Sequence, residues 1–521
     1  MPASIDLLDG RRGLTRSNRS VAPPSIESIS DEIKPEAPLA LYNAIRHGGY
    51  PFLLESVEKS DQRARFSFVG ANPSAVVAIK GRNIEVEIPC QDDELKEFLA
   101  ARLGFCVRLE DENKTLRGTI EEGFDLFDAL RCTIPCSPYK TRFGRQAFLG
   151  GGIGYLAYDL VRERLRPDLG DASGTSGTPS IEPAISDVPD AEFGIFRQVF
   201  LFDHLEDDVL VAVRPLYPND EVDGGIEEAK ALLEKLEPDL FEKGDLGPIS
   251  CSKGEAEPFE EAVRQSKEHI LGGNIFQVVL SREAKVRLKN PDPMLLYRRL
   301  RRINPSPYTY ILEFGNRAVV GASPETLFSV YDRKVTVNPI AGTCPRGGSP
   351  EEDELLARTM LKDEKERAEH VMLVDLGRND VRAVSKSGTV LVENFMKVLQ
   401  YSHVQHIEST VRGDLREECD SFDAARAVFP AGTLSGAPKL RAMEIIDELE
   451  EKPRGIYGGG IGYFSSDGAA DFAIAIRSVI LEGDVAQIQA GAGIVADSDP
   501  HREYIETERK MAAMKKALGV E

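Results

Sequence analysis

The chain of 521 residues is long enough for about three or four units of roughly 150 residues each, and it carries 86 acidic against 64 basic side chains, a formal charge of −22. Such a surface repels polyphosphates and anionic membranes, which argues against nucleic acid or membrane as a partner, and no run approaches the ~18 apolar residues of a membrane span. Seven cysteines without CxxC spacing indicate neither a zinc site nor a disulfide framework, and the expected compartment is the cytoplasm.

In chain order, residues 1–20 are polar and basic and read as a disordered leader. Over 21–245, short apolar runs such as "SAVVAI", "RQVFLFD" and "VLVAV" alternate with turn residues, the pattern of a β-rich N-terminal domain. The Gly/Ser/Pro-rich stretch at 166–183 interrupts it as a mobile surface loop. A shift in composition at 243–259 separates a second domain, 255–518. There the apolar periodicity predicts helices over about 257–272, 350–372, 421–428, 437–450 and 500–518. The expected strands are "NIFQVVLSREAKV", "YTYILEF", "RAVVGAS", "KVTVNP", "AIAIRSVILEG" and "VAQIQAGAGIVA", followed in places by small stiff turns such as "NPIAGTCP". Alternating polarity in these strands favours antiparallel pairing, hence an α+β fold of antiparallel sheets packed together with flanking helices. The hexapeptide "GGGIGY" occurs at 150–155 and again at 458–463, from an old duplication or by coincidence of Gly-rich strands. Neither copy opens a helix, so it is not a dinucleotide fingerprint; P-loop and HExxH patterns are absent.

Two acidic pairs stand out. Glu366 and Glu369, and Glu503 and Glu506 with Lys510 four residues on, each share one face of a predicted helix. Facing each other, such helices offer oxygen ligands to a hard divalent cation with room for water and an anion; singly, each is an ordinary solvated face. The run Gly491, Ala492, Gly493 after a strand lets backbone N–H groups approach a carboxylate or phosphate, or is simply a glycine bulge. Arg477, amid apolar residues in "FAIAIRS", clamps a carboxylate or makes a structural ion pair. Glu325 in "GASPETL" follows a strand end where partial burial suits a general acid, or caps a helix; His406 in "YSHVQHIES" is a second candidate, or packing.

The ordered motifs "NIFQVVLSR", "GASPE", "NPIAGTCPRG", "ERAEHVMLVDLGRND", "HVQHIES", "FPAGTLSGAPK", "IYGGGIGY", "AIAIRS", "QAGAGIV" and "EYIETERK", from about 257 to 513, resemble the chorismate-utilising enzymes, and within them the anthranilate synthase component I family. "FLLESVE" extends the resemblance into the N-terminal half. The resemblance implies that Glu369 and Glu506 ligate Mg2+, with Glu366 and Glu503 reaching it directly or through water. It assigns the substrate's carboxylates to Tyr457, Arg477, Gly491, Ala492, Gly493 and Lys510, and the ring site to Ala341, Gly342, Thr343 and Thr433. Glu325 protonates the departing ring hydroxyl and His406 assists the loss of pyruvate. Relatives with "PIKGT" supply a lysine amine to the ring, where this chain has Ala341; relatives that add water have a lysine base where this chain has Gln277 in "QVVLSR". Ammonia is then the expected nucleophile.

No glutaminase nucleophile turn surrounds any cysteine, so the resemblance implies a separate glutamine amidotransferase subunit, component II, in a heterotetramer, with tryptophan as feedback inhibitor. Glu55 and Ser56 in "LLES", with Pro307, Tyr308, Thr309 and Tyr310 in "NPSPYTY", resemble the inhibition element. Cys344 stands where the family more usually has arginine. The expected reaction converts chorismate and ammonia to anthranilate and pyruvate, the first committed step of tryptophan biosynthesis. Its rivals are a synthase that stops at aminodeoxyisochorismate and an inactive tryptophan-sensing subunit.

Overall fold

The computed structural model describes residues 22–30, 36–56, 65–111, 115–137, 139, 141–162, 188–220, 225–236, 244–252, 256–401 and 404–520; the expected leader at 1–20 and loop at 166–183 lie outside them. The described strands form two antiparallel sheets of 12 and 13 strands. Each sheet crosses the expected boundary at 243–259. In the first, Phe52–Glu55 pairs with Tyr308–Phe314; in the second, Gly151–Leu156 pairs with Gly460–Ser465. The segments 21–245 and 255–518 therefore divide the sequence while sharing both sheets.

The elements that build the site are, in chain order, α1 (Leu126–Thr133), β1 (Gly151–Leu156), β2 (Ala191–Phe196), β3 (Gln277–Leu288), β4 (Arg317–Ser323), β5 (Thr326–Tyr331), β6 (Ile340–Pro345), α2 (Glu364–Arg382), β7 (Val404–Asp414), α3 (Ser421–Val428), β8 (Gly460–Ser465), β9 (Ala470–Ile474), β10 (Ser478–Glu482), β11 (Val485–Ile494) and α4 (Pro500–Leu518). The sheets face each other across a core that includes Phe52, Phe68, Phe148, Tyr155, Phe196 and Tyr463. Helices cover the outer faces, through Leu296, Met511 and Met514 on the first sheet and Leu130 and Phe422 on the second. This is the expected α+β arrangement, in the order helix, sheet, sheet, helix.

The repeated hexapeptide lies at the centre of the second sheet, where its two copies pair with each other. Gly154 stands opposite Gly462, Ile153 opposite Tyr463 and Tyr155 opposite Ile461. A Cβ at Gly154 would fall 1.9 Å from the Glu192 carbonyl oxygen, and one at Gly462 would fall 2.0 Å from that of Asp471, so each copy admits only glycine for the same steric reason. The symmetry extends to α1 and α3. "DLFDALRCTIP" and "DSFDAARAVFP" each begin with a capping box, Asp125/Asp128 and Asp420/Asp423, and the arginines cross over. Arg131 clamps Asp420 at 2.8 and 3.0 Å and pairs with Asp128 and Asp423; Arg426 clamps Asp125 at 2.6 and 2.8 Å and pairs with Asp128 and Asp423. The two origins left open for "GGGIGY" thus separate, and the extended match favours duplication.

Three sequence expectations differ from the structure. The helix expected over 350–372 is two, Pro350–Lys362 and α2, because Asp363 adopts an extended backbone and caps the second helix through the N–H groups of Lys365 and Glu366. The stiff turn expected at "NPIAGTCP" is strand β6, bulged at Gly342, whose φ of 66° is left-handed. The single strand "AIAIRSVILEG" is two strands in different sheets, β9 and β10, broken where Arg477 takes a φ of 53°. The N-terminal half, expected to be strand-rich, also holds α1 and the helices Ala37–Ile45 and Asp93–Leu103.

Candidate active site

The chain passes twice from one sheet to the other near the same corner: at Pro324–Glu325, between β4 and β5, and at residues 475–477, between β9 and β10. Strand pairing ends there, so backbone and side chains turn into open space instead of a ladder. That space is a cavity of about 630 Å³ walled by β3, β6, β7, β11, α2 and α4. Strand β11 supplies its floor. Gly491 and Gly493 are needed for close approach, since a Cβ would meet the Tyr457 hydroxyl at 3.0 Å and the Gln277 amide nitrogen at 2.5 Å respectively.

Glu366 and Glu369 from α2 and Glu503 and Glu506 from α4 all line the cavity. Burial raises the Glu366 carboxyl above its usual range, and Glu369 beside it and Glu506 of the other helix add to the rise. Glu503 is raised by burial and by Glu506. Lys510 holds Glu506 at 2.7 Å and donates to the Gly491 carbonyl at 2.8 Å. Among the described residues no three carboxylates converge on a ready-made cage. A magnesium ion takes one or two carboxylates and keeps water and substrate oxygens as its other ligands, so two helices rich in carboxylates suit it without such a cage.

Arg477 also lines the cavity; it donates to the Lys510 carbonyl oxygen at 3.1 Å and, among the described residues, pairs with no carboxylate. Burial lowers its pKa, against the opposite pull of Tyr457 and Glu506, and a guanidinium lining a cavity in this way can take an anion from outside the chain. Glu325 is buried, accepts a hydrogen bond from the Thr433 hydroxyl at 2.8 Å, and is pushed up to about 8, chiefly by burial. It can therefore hold a proton near neutrality. Burial lowers the pKa of His406, on β7 opposite Thr343, which favours the neutral ring. Its Nδ1 lies 2.8 Å from the Gly342 carbonyl and 3.1 Å from the Thr343 hydroxyl. A carbonyl can only accept, so Nδ1 carries the hydrogen and Nε2 keeps its lone pair. Gln277 donates from its amide nitrogen to Glu369 at 3.0 Å, which turns its carbonyl oxygen, buried and without a partner, away from the carboxylate.

The structure thus gathers Glu325, His406, Gln277, Thr343, Ala341, Gly342, Thr433, Tyr457, Arg477, Gly491, Gly493, Lys510 and all four metal candidates around one space. Ala492 is the exception. Alternation on β11 turns its methyl into the core with Val278 and Ile494, leaving only its backbone between the two glycines. Lys365, Gln489 and Arg509 line the cavity as well; Gln489 opens "QAGAGIV" and Arg509 lies within "EYIETERK", yet neither these two nor Lys365 is assigned a role from the sequence.

A second, smaller cavity of about 170 Å³ is lined by Glu55, Ser56, Pro307, Tyr308, Thr309 and Tyr310, together with Phe66, Phe68, Asn338, Tyr463 and Asp471. All six residues expected in the inhibition element meet there. The Glu55 carboxylate itself is held by Tyr297 and by Arg301 at 2.9 Å.

A family model for chorismate binding enzymes matches residues 91–516. The chain is 45% identical over 511 residues to anthranilate synthase component 1 of Haloferax volcanii, covering 92% of this chain and 91% of that protein. It is 45% identical over 491 residues to anthranilate synthase component 1 of Thermococcus kodakarensis, covering 94% and 99%. The crystal structure of anthranilate synthase component I from Streptococcus pneumoniae superposes with a TM-score of 0.68 at 34% identity, covering 87% of this chain and 93% of that one. The menaquinone-specific isochorismate synthase of Escherichia coli, at 18% identity and a TM-score of 0.64, shares the fold alone. The chain belongs to the chorismate binding enzymes, on the branch of the anthranilate synthase component 1 proteins.

Proposed function

We propose that the protein converts chorismate and ammonia to anthranilate and pyruvate as the synthase component of a two-component anthranilate synthase. The observation that carries this reading is one cavity lined by Arg477, which among the described residues pairs with no carboxylate, by the carboxylates of two helices, by Glu325, a buried acid pushed up to about 8, and by Ala341, whose methyl group stands where relatives have a lysine amine. Chorismate is a doubly negative ring compound. Arg477, the Tyr457 hydroxyl and the backbone around Gly491 and Gly493 fit its enolpyruvyl carboxylate. Glu369 and Glu506, with Glu366 and Glu503 nearby, would hold Mg2+, which supplies a positive charge for the ring carboxylate.

In the first step ammonia adds to the ring, and the ring hydroxyl leaves as water with the proton of Glu325. The proton lost by the new amine balances the charge. In the second, the ring carbon bearing nitrogen loses its proton, for which His406 Nε2 would be the acceptor. The bond to the enolpyruvyl oxygen breaks, the ring becomes aromatic and pyruvate takes up a proton. Gln277 cannot act as a base towards water, which favours ammonia as nucleophile. The nitrogen would come from a glutamine amidotransferase subunit, and tryptophan would occupy the smaller cavity as inhibitor.

The test is anthranilate fluorescence from chorismate, ammonium and magnesium, with and without a chelator and tryptophan. Turnover that the chelator abolishes and tryptophan lowers is the expected result. Aminodeoxyisochorismate accumulating without anthranilate would replace this reading with the shorter reaction. Absence of any magnesium-dependent turnover would leave a binding subunit only.

A further inference from the structure

Arg346, the cation just beyond β6, turns away from the large cavity and closes on Asp353 of the helix Pro350–Lys362. Its Nε lies 3.0 Å from both carboxylate oxygens and its Nη2 2.6 Å from one of them. Asp353 is 4% exposed and also accepts from the Gly347 amide at 2.7 Å and from the Gln405 side-chain amide at 3.3 Å. Gln405 immediately precedes His406 on β7. The other arm of the guanidinium, Nη1, donates to the Tyr401 carbonyl at 2.6 Å. Tyr401 ends the hairpin between the strand Leu391–Gln400 and β7, its amide donating to the Val404 carbonyl at 2.8 Å. Its ring meets the His406 imidazole edge to face, with centroids 5.4 Å apart. One ion pair therefore braces both the residue before His406 and the ring packed against it.

We infer that Tyr401 is a positioning residue for the loss of pyruvate: braced by Arg346 and Asp353, its ring holds the His406 imidazole in the orientation that keeps Nε2 as the basic nitrogen. Both polar contacts of that imidazole, to the Gly342 carbonyl and the Thr343 hydroxyl, lie at Nδ1. They fix the tautomer. A ring held at one atom can still swing about it, and edge-to-face packing against a second aromatic ring removes that freedom. Arg346, Asp353 and Tyr401 do not line the cavity, so the first step, whose proton comes from Glu325, does not depend on them. The clamp serves the second step alone.

The inference rests on His406 being the base of the second step, and its test separates the two claims. Chorismate, aminodeoxyisochorismate and anthranilate are followed by chromatography during turnover with ammonium and magnesium. Tyr401→Leu removes the ring: chorismate consumption should stay within about twofold of wild type while conversion of the intermediate slows about tenfold, as loss of a positioned group does. Aminodeoxyisochorismate then appears beside anthranilate. Tyr401→Phe keeps the ring and restores the wild-type product ratio, and Asp353→Asn loosens the clamp and shifts the ratio less, in the same direction. His406→Asn should stop at the intermediate. A wild-type product ratio in Tyr401→Leu overturns the positioning role, and so does equal slowing of both steps, which is what a merely structural loss produces. Anthranilate alone from His406→Asn, or the intermediate alone from the wild type, overturns the reading of the second step and the inference with it. Should Tyr401→Leu fold poorly, Arg346→Gln, at the more exposed end of the clamp, repeats the measurement.

Discussion

The two copies of the repeated unit are alike through the helix and differ beyond it. In both, a capping box opens the helix, a crossed arginine locks it to the other copy, and the shared proline marks its exit. After α1 the chain is sealed into the second sheet: the Ser137 amide donates to the Ser466 carbonyl at 2.7 Å, the Pro135 carbonyl accepts from Arg214 at 3.0 Å, and the Cys136 thiol reaches the Ser465 carbonyl. After α3 the chain enters the corner where strand pairing ends, and Thr433 meets Glu325. The same supporting device is used twice, and among the described residues only the second exit, through Thr433 and Leu434, opens on the larger cavity. Stability resides in what is repeated, function in what is not.

The largest expected effect belongs to the second exit. Glu325→Gln should lower kcat about 100-fold or more with the melting temperature little changed, as loss of a general acid does; retention of activity would remove the difference between the exits. Next comes a matched pair. Thr433→Val should lower kcat about tenfold near neutral pH, because it removes a hydrogen bond to an ionisable group, whereas Cys136→Ala at the other exit should leave kcat within about twofold.

The locks themselves predict the reverse pattern. Arg131→Met and Arg426→Met should each cost about 3 to 5 kcal/mol in urea unfolding, since each strands buried carboxylates without their cation. Arg131, the less exposed, should cost more. If only one of the two mattered, the crossed network would not be shared equally by the copies. Smallest is the glycine pair: Gly154→Ala and Gly462→Ala should each cost about 2 to 3 kcal/mol, and clearly unequal losses would mean that one copy relaxes around the added methyl.

The acidic spacing on α2 and α4 was readable because helical period alone puts Glu366 with Glu369 and Glu503 with Glu506. Arg477 was readable as a charge in need of an anion from its apolar surroundings, yet its left-handed backbone and the change of sheet around it were not, since an unbroken apolar run reads as one strand. Asp363 shows the same weakness: periodicity continued through a residue whose side chain caps a new helix. The longer repeat, Asp125 to Pro135 against Asp420 to Pro430, is visible in the sequence once the two stretches are set side by side, but "GGGIGY" alone does not lead to it. Gln489 lies within the "QAGAGIV" motif but carries no assigned role there, because a polar residue in an alternating strand normally faces water, and this one faces a cavity.

By itself the sequence determined the local sets: which carboxylates share a helix face, which positions must be glycine, where an amine is missing at Ala341. Only the tertiary structure decided that these sets meet, because the meeting depends on two sheets packing across Phe52, Phe148, Phe196 and Tyr463 and on strands paired over hundreds of residues. Short-range stereochemistry is written residue by residue, whereas the corner that holds the cavity exists only once both sheets have formed and their strands part.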